Sequence, residues 1–111
     1  MKTVSRTGIT VNGGRISGRA TVIQSSDDLD QMEDGDILVV HTSDPMYALG
    51  VFKASGLICE VGGRLSHICT VALEMGLPCL TQVKDATVLI KTGQWICLNA
   101  DDKTIQLIEE C

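Results

Sequence analysis

The 111-residue sequence predicts an α/β fold, a small mixed β-sheet flanked by helices. Short apolar runs alternate with helix-like segments through the middle of the chain, and both ends are rich in strand-like segments. Hydrophobic residues make up 44% of the chain but aromatic residues only 3%, which predicts an aliphatic core. The length suits one compact domain, so residues 1–111 are expected to form a single domain.

The first third of the chain predicts two strands and a short helix or turn. Residues 1–15 are polar and glycine-rich, and RISGRATVIQ (15–24) reads as a strand that is broken or bulged at Gly18. SSDDLDQM (25–32) begins with capping residues, which predicts a short helix or turn. GDILVVHT (35–42) is a short apolar run with the boundaries of a buried strand.

The middle of the chain predicts a helix, a strand and a second helix. DPMYALGVF (44–52) has the signature of a helix start, with Asp44 as N-cap and Pro45 at the first position. GLICEV (56–61) is a second buried strand. A helix then runs from about residue 66 to residue 75.

The second helix has clear signals for its buried face and its end. Gly76 is a typical C-terminal stop, and Pro78 prevents continuation. The spacing i, i+3, i+4, i+7 predicts one apolar face. The residues with that spacing are Ile68, Val71, Ala72 and Met75.

The last third predicts strands and one short helical turn. PCLTQV (78–83) reads as a strand and KDATVLI (84–90) as a helical turn. GQWICLNA (93–100) and TIQLIEE (104–110) are predicted to form a closing hairpin around DDK.

Composition and charge exclude several classes of protein. The net charge of −5 and the pI of about 4.8 argue against nucleic-acid binding through phosphate neutralisation. The chain has no apolar run of membrane-spanning length and no signal segment, so we expect a soluble, cytoplasmic protein without membrane contact.

Five cysteines occur, none in a C-x-x-C pair, so we expect no metal or redox site and cysteines that behave as small buried hydrophobes. The near-ten-residue spacings between Cys59, Cys69 and Cys79 are taken as coincidence.

The segment after the second strand contains the candidate chemistry. Ser66 fits an N-cap whose hydroxyl accepts the N–H of Cys69, which places His67 at the first helical position. The helix dipole there favours a neutral, nucleophilic imidazole and a phosphoryl dianion bound to it. Gly62 and Gly63 permit positive φ and close approach of the backbone to a phosphate.

Arg64 adds a cation for phosphate oxygens. The residues alone favour an ordinary turn and a capped helix, with a surface histidine at position 67. His41 is interpreted as a structural or surface residue and Asp44 as a helix cap. Glu60 precedes the glycine pair and is a candidate acceptor for the His67 imidazole, which would fix its tautomer.

GGRLSHICTVALEMGLPC (62–79) resembles the phosphohistidine signature of the PEP-utilising enzyme mobile domain. This is the swivelling domain of pyruvate phosphate dikinase, PEP synthase and enzyme I of the sugar phosphotransferase system. Similarity to the family extends through residues 13–23, 35–45 and 93–108, and so covers nearly the whole chain. The positions that match the signature are Gly62, Gly63, Ser66, His67, Ala72, Gly76, Leu77 and Pro78.

The resemblance implies a swivelling β/β/α fold and a phosphoryl carrier in which His67 accepts the phosphoryl group. Gly62, Gly63, Arg64 and Ser66 would bind phosphate. The implied partners are an ATP-grasp nucleotide-binding subunit or domain and, in some members, a PEP- or pyruvate-binding TIM barrel. ATP or PEP with Mg²⁺ would be bound by the partner, and this chain would hold no cofactor or metal.

The chain has no room for an ATP-grasp fold and no G-x-x-x-x-G-K-[ST] stretch, so we expect it to be inactive alone. It is either a standalone subunit or an excised domain, and Met1 with the closing hairpin favours the former. Pyruvate, a carrier protein, a phenol or an antibiotic is each compatible as the final acceptor.

Two departures from the family pattern keep an alternative open. Leu65 stands where the family usually has threonine, and Leu73 where it often has arginine. The alternative is a non-catalytic binding or regulatory module that keeps the swivelling-domain fold without phosphoryl transfer. A thiol-based redox or metal protein is a third possibility, and it rests only on the cysteine count.

Overall fold

The structure, a computed structural model, describes residues 2–108. They contain eight strands in one mixed sheet, in the order β1-β8-β7-β3-β4-β5-β6-β2. The strands are β1 (Lys2–Ser5), β2 (Ile9–Asn12), β3 (Arg15–Ile23), β4 (Ile37–Thr42), β5 (Gly56–Val61), β6 (Cys79–Thr81), β7 (Trp95–Asn99) and β8 (Thr104–Leu107). The α-helices are α1 (Ala48–Lys53), α2 (His67–Glu74) and α3 (Ala86–Leu89), with 3₁₀ helices at Ser26–Gln31 and Pro45–Tyr47.

The α/β architecture predicted from the sequence is therefore confirmed. The segments assigned as buried strands, the short helices and the hairpin of β7 and β8 are all present. The predicted end of that hairpin at residues 109 and 110 lies outside the described residues.

Two strands within residues 1–15, β1 and β2, were not predicted. Both are short and only partly buried, so neither has the apolar run that identifies a central strand. They form at the two edges of the sheet because β1 pairs with β8 and β2 with β6.

Strand β3 joins the two halves of the sheet and is not broken at Gly18, contrary to the prediction. Residues 15–19 pair antiparallel with β7, and residues 20–23 pair parallel with β4. The reason for glycine at position 18 is close packing, because a β-carbon there would lie 3.2 Å from the carbonyl oxygen of Gly35.

The core lies on both faces of the sheet. Leu38 and Val40 of β4 belong to the cluster that packs under α1 and α2. Ile37 and Val39 belong to the cluster on the other face, which includes the buried residues of α3. This alternation follows from the two-residue period of a strand, and it decides which side chains can meet near each end of the sheet.

Helix α2 begins and ends as predicted, but its buried face differs. Gly76 has φ +74°, and the N–H of Leu77 bonds to the carbonyl of Ala72 at 2.9 Å, which closes the helix end. The buried residues are Ile68, Cys69 and Ala72, whereas Met75 remains 39% exposed. The predicted stripe was wrong at Met75, which lies at the C-cap, beyond the last residue that packs on the sheet.

Candidate functional site

The candidate site lies where parallel strands β4 and β5 end. The parallel pairing of β3, β4, β5 and β6 places their carboxyl ends along one edge of the sheet. The loop of residues 62–66 leaves β5 there and leads directly into α2. The loop that leaves β4 passes beside it and contains Ser43.

Gly62 has a conformation that only glycine adopts without strain. Its φ is +144°, and a β-carbon there would lie 2.7 Å from Oγ and 3.1 Å from Cβ of Ser43. Gly63 has no positive φ, and a β-carbon there would meet nothing within 4 Å. The glycine pair predicted from the sequence therefore divides into one position with a steric requirement and one without.

The carbonyl oxygen of Gly62 is held by the end of β6. It accepts hydrogen bonds from Oγ1 of Thr81 at 2.8 Å and from Nε2 of Gln82 at 3.4 Å. Thr81 is fully buried, and Gln82 has φ +57°. Sequence reasoning missed Ser43, Thr81 and Gln82, because only strand pairing brings them to this loop.

Ser66 precedes α2 but does not cap it with its side chain, contrary to the prediction. Its hydroxyl donates instead to the carbonyl oxygen of Gly63 at 2.7 Å, and its N–H bonds to the same oxygen at 3.1 Å. The first helical bond runs from the N–H of Thr70 to the carbonyl of Ser66 at 2.9 Å. Because the hydroxyl closes the turn, it leaves the first N–H groups of α2 uncapped.

His67 is the first residue of α2 and is exposed, as the sequence predicts. His67 therefore lies in the first turn, whose N–H groups have no partner within the helix, at the positive end of the helix dipole. Arg64 is also exposed, and it takes part in none of the ion pairs formed among residues 2–108. The site thus combines an exposed imidazole, backbone N–H groups without a partner in the helix, and an exposed cation three residues before the imidazole.

The two residues that depart from the family pattern both face solvent. The side chain of Leu65 is 89% exposed and that of Leu73 is 46% exposed. Neither forms part of the core beneath α2, so neither substitution alters the packing that holds His67.

Glu60 does not contact His67, contrary to the interpretation from the sequence. Its carboxylate bonds to Nδ1 of His41 at 2.6 Å and accepts from both N and Oγ1 of Thr87, each at 2.5 Å. Burial raises the pKa of Glu60, but hydrogen bonds from Thr87 and His41 outweigh it and hold the pKa below its usual value. Glu60 follows Cys59 on β5, so the two side chains point to opposite faces of the sheet. Glu60 faces α3, whereas Cys59 faces α2.

His41 is a surface residue, as predicted, and it pairs with Glu60 across β4 and β5. Asp44 is the predicted helix cap, since its Oδ1 accepts the N–H of Met46 at 2.9 Å. Both predictions from the sequence are confirmed, and neither residue belongs to the loop that precedes α2.

The four described cysteines are buried and free, as expected. Strand β5, helix α2 and strand β6 bring Cys59, Cys69 and Cys79 into one cluster beneath the loop. Hydrogen bonds to Cys69, together with burial, raise the pKa of the Cys59 and Cys79 thiols. The thiol of Cys59 also donates to the carbonyl of Val61 at 3.0 Å.

Hydrogen bonding, chiefly with Cys59, lowers the pKa of Cys69.

Across residues 2–108, no three His, Cys, Asp or Glu side chains are arranged so as to hold a metal ion. Over the same residues, none of the helices has the length and apolar character needed to cross a membrane.

Comparison with protein families matches residues 32–103 to the model described as PEP-utilising enzyme, mobile domain. The chain is 41% identical over 100 residues to rifampicin phosphotransferase of Bacillus subtilis, which covers 90% of this chain and 11% of that protein. It is 33% identical over 92 residues to phosphoenolpyruvate synthase of Pyrococcus furiosus, which covers 83% of this chain and 11% of that protein.

Solved structures share the fold at low sequence identity. Enzyme I, solved in solution, aligns with a TM-score of 0.61 and 18% identity over 74% of this chain and 34% of that chain. Aconitase X of Thermococcus kodakaraensis aligns with a TM-score of 0.66 and 18% identity over 92% of this chain and 96% of that chain. Since proteins with such different names share it, the fold alone does not indicate a function.

Proposed function

The chain belongs to the PEP-utilising enzyme mobile-domain family, and we propose on that basis that His67 is its phosphoryl-accepting residue. The observation that carries the proposal is the position of this imidazole. It is exposed at the first residue of α2, directly after a loop in which the positive φ of Gly62 and its contact with Ser43 would strain any larger residue.

The chemistry of loading needs little from the carrier beyond position and charge. An unprotonated ring nitrogen of His67 attacks the phosphorus atom, and the bond from phosphorus to the donor's leaving oxygen breaks with its electron pair on that oxygen. The helix dipole favours the phosphoryl dianion after the reaction.

The phosphate-binding residues fall into two roles in this proposal. Arg64 supplies a cation to the phosphoryl oxygens, and the first N–H groups of α2 supply hydrogen bonds. Gly62 and Gly63 contribute through their backbone, which approaches the phosphoryl group, and the positive φ of Gly62 sets the path of that backbone. Ser66 acts by closing the turn through Gly63, since its hydroxyl proton is already committed to that carbonyl.

The partners and co-substrates follow from the family. The chain spans about a tenth of the curated relatives it matches, at 11% of their length. We therefore propose that an ATP-grasp subunit or domain, or a PEP-binding TIM barrel, holds ATP or PEP with Mg²⁺ and loads His67. The relatives named for rifampicin and for phosphoenolpyruvate are consistent with one carrier design that serves different acceptors.

We also propose that residues 1–111 act as one domain in the cytoplasm. Four buried cysteines without disulfides suit a reducing compartment, and β3 links both halves of the sheet into one unit.

The experiment uses radiolabelled ATP or PEP with an extract of the source cells. His67→Ala is compared with the unaltered chain, and His41→Ala is the matched control because the chain has two histidines. We expect acid-labile, alkali-stable label on the unaltered chain and on His41→Ala, and none on His67→Ala. Acid-stable label, or equal label on His67→Ala, would contradict the proposal.

A further inference from the structure

Three cysteine thiols lie together in the core beneath helix α2. Cys59, Cys69 and Cys79 are fully buried, free, and members of one cluster. Cys69 forms hydrogen bonds with the thiols of both other residues, chiefly with that of Cys59. The sequence lacks the C-x-x-C spacing of a redox pair, but the packing of α2 on β5 and β6 brings thiols together in the same way.

The fold decides which of these thiols can be joined. In the pairing of β5 with β6, Cys79 lies opposite Leu57, two residues before Cys59. An offset of two residues on neighbouring strands separates the Cα atoms of Cys59 and Cys79 by about 8 Å, beyond the limit of about 7 Å for a disulfide. A bridge in this cluster must therefore include Cys69, whose hydrogen bonding is chiefly with Cys59.

A bridge between Cys59 and Cys69 would enclose the loop of the candidate site. Cys59 lies two residues before the end of β5, and Cys69 is the third residue of α2. The enclosed segment, residues 60–68, contains the whole loop before α2 together with His67. The disulfide would join the strand on one side of this loop to the helix on the other.

Cys69 also contacts the two hydroxyls that hold the loop. Its sulfur forms hydrogen bonds with the side chains of Ser66 and Thr81. The Ser66 hydroxyl donates to the carbonyl of Gly63 at 2.7 Å, and the Thr81 hydroxyl donates to the carbonyl of Gly62 at 2.8 Å. A disulfide brings two sulfur atoms to about 2.05 Å, closer than any hydrogen bond between thiols, so the Cys69 sulfur must move relative to both hydroxyls.

We propose, on the premise that His67 is a phosphoryl carrier, that Cys59 and Cys69 are a peroxide-sensitive modification site whose reversible disulfide slows the loading of His67. Hydrogen peroxide is the oxidant. Disulfides in reducing compartments are typically transient and redox-sensing, which suits a bridge that forms only under oxidation.

The reaction begins at Cys69, because hydrogen bonding, chiefly with Cys59, lowers the pKa of this thiol. The Cys69 thiolate attacks one peroxide oxygen, the O–O bond breaks, and hydroxide leaves with the electron pair and takes up a proton. The Cys59 thiol then attacks the sulfur of the resulting sulfenic acid, and its proton leaves with the hydroxyl group as water. Two thiols are oxidised and one peroxide is reduced to water.

Burial of the thiols limits which reagents reach them. Hydrogen peroxide is little larger than water, and Cys69 lies in the first turn of α2, where local opening of a helix costs least. A disulfide adds no atoms to the core, so the product fits the space that two thiols occupied. A bulky thiol reagent must instead wait for unfolding.

The test maps the bridge in a Cys111→Ser chain treated with hydrogen peroxide. Trypsin cleaves after Arg64, so a bridge from Cys59 to Cys69 joins two peptides, residues 54–64 and 65–84. We expect the intact chain to become lighter by two hydrogen atoms and these two peptides to be linked, and dithiothreitol should reverse both changes.

Single variants identify the partners of the bridge. Cys79→Ala is the matched control, since it removes an equally buried thiol of the same cluster that the bridge does not use. The linked peptides should persist in Cys79→Ala and be absent from Cys59→Ala and Cys69→Ala.

The effect on His67 is measured after the peroxide has been removed, with radiolabelled ATP or PEP in a desalted extract of the source cells. The bridged chain should take up label about threefold to tenfold more slowly than the reduced chain, as expected when about one hydrogen bond of the loop is lost. Dithiothreitol should restore the rate, and peroxide should leave the rate of Cys69→Ala unchanged.

Absence of a bridge would overturn the proposal, and so would a bridge confined to residues 65–84, which contain both Cys69 and Cys79. Equal labelling rates of bridged and reduced chains would also overturn it. Label that persists on His67→Ala would instead refute the carrier function. Peptide mapping involves no phosphoryl transfer, so the two failures are distinguishable.

Discussion

Replacement of Gly62 by alanine tests whether the loop before α2 depends on one glycine. The backbone at this position has φ +144°, and the added β-carbon would lie 2.7 Å from Oγ of Ser43 and 3.3 Å from Oγ of Ser66. Both hydroxyls lie at the site, so the substitution acts on the loop that positions His67 and leaves the core of the protein unchanged.

The chain can respond to the added β-carbon in two ways, and the response with the smaller free-energy cost sets the loss of stability. If the loop keeps its conformation, the positive φ costs about 1–3 kcal/mol, and the contact with Ser43 adds about 1 kcal/mol. If the loop moves away, the carbonyl of Gly62 loses its bonds to Thr81 and Gln82, each of which contributes about 0.5–1.5 kcal/mol. We therefore expect the free energy of unfolding to fall by about 1–3 kcal/mol.

The assay combines urea unfolding with phosphorylation of His67. Gly63→Ala is the matched control, since a β-carbon there meets nothing within 4 Å and the φ is not positive. It should change stability by less than about 0.5 kcal/mol and leave labelling intact. In Gly62→Ala the rate of labelling should also fall, because crowding at Ser43 or loss of the bonds to the Gly62 carbonyl disturbs the loop that leads to His67.

A second variant separates contact from backbone strain. Ser43→Ala removes the oxygen nearest the added carbon and should recover part, not all, of the stability lost in Gly62→Ala. The reasoning is refuted if Gly63→Ala is as harmful as Gly62→Ala, or if Gly62→Ala leaves both stability and labelling unchanged.

Three further predictions concern the support of the site. Glu60→Gln should lower stability at neutral pH by about 1–2 kcal/mol, because hydrogen bonds to a charged group are lost. Since the folded pKa of Glu60 is lowered, its contribution is present above the unfolded pKa of about 4.3 and is lost as pH falls through the folded pKa. Urea unfolding from pH 7 to pH 3 should therefore show the difference between variant and unaltered chain disappearing, and a constant difference would contradict this. Thr81→Val should lower the free energy of unfolding by about 1–2 kcal/mol and reduce labelling of His67, because it removes the hydrogen bond to the carbonyl of Gly62. A urea unfolding midpoint equal to that of the unaltered chain would contradict this role of Thr81. In a Cys111→Ser background, a thiol reagent should modify the four buried cysteines only as urea unfolds the chain, and immediate reaction of any of them would show that it is accessible.

Local patterns predicted much of the fold and the centre of the site. The start of α2, its glycine stop and the buried strands β4 and β5 were all recognised correctly, because each depends on residues close together in the chain. The position of His67 at the first residue of α2 followed from the same signals. The edge strands β1 and β2 were not predicted, because they are strands through their pairing with β8 and β6 and have no hydrophobic pattern that identifies them.

Contacts between residues far apart in the chain could not be predicted from the sequence, for a physical reason. Glu60 bonds to His41 and not, as the sequence had suggested, to His67, because the face to which a strand residue points depends on its register in the sheet. Likewise, the clustering of Cys59 and Cys79 depends on the pairing of β5 with β6.

The sequence by itself determined the family, the identity of the candidate nucleophile and the local order of turn and helix that presents it. Only the tertiary structure decided which glycine is indispensable, since that depends on Ser43, which lies 19 residues away on another loop. It also decided that the hydroxyl of Ser66 closes a turn and does not cap the helix, because the carbonyl of Gly63 lies within its reach. Hydrophobic pattern and turn chemistry are local, but steric exclusion and hydrogen-bond partners are fixed only when the strands pair.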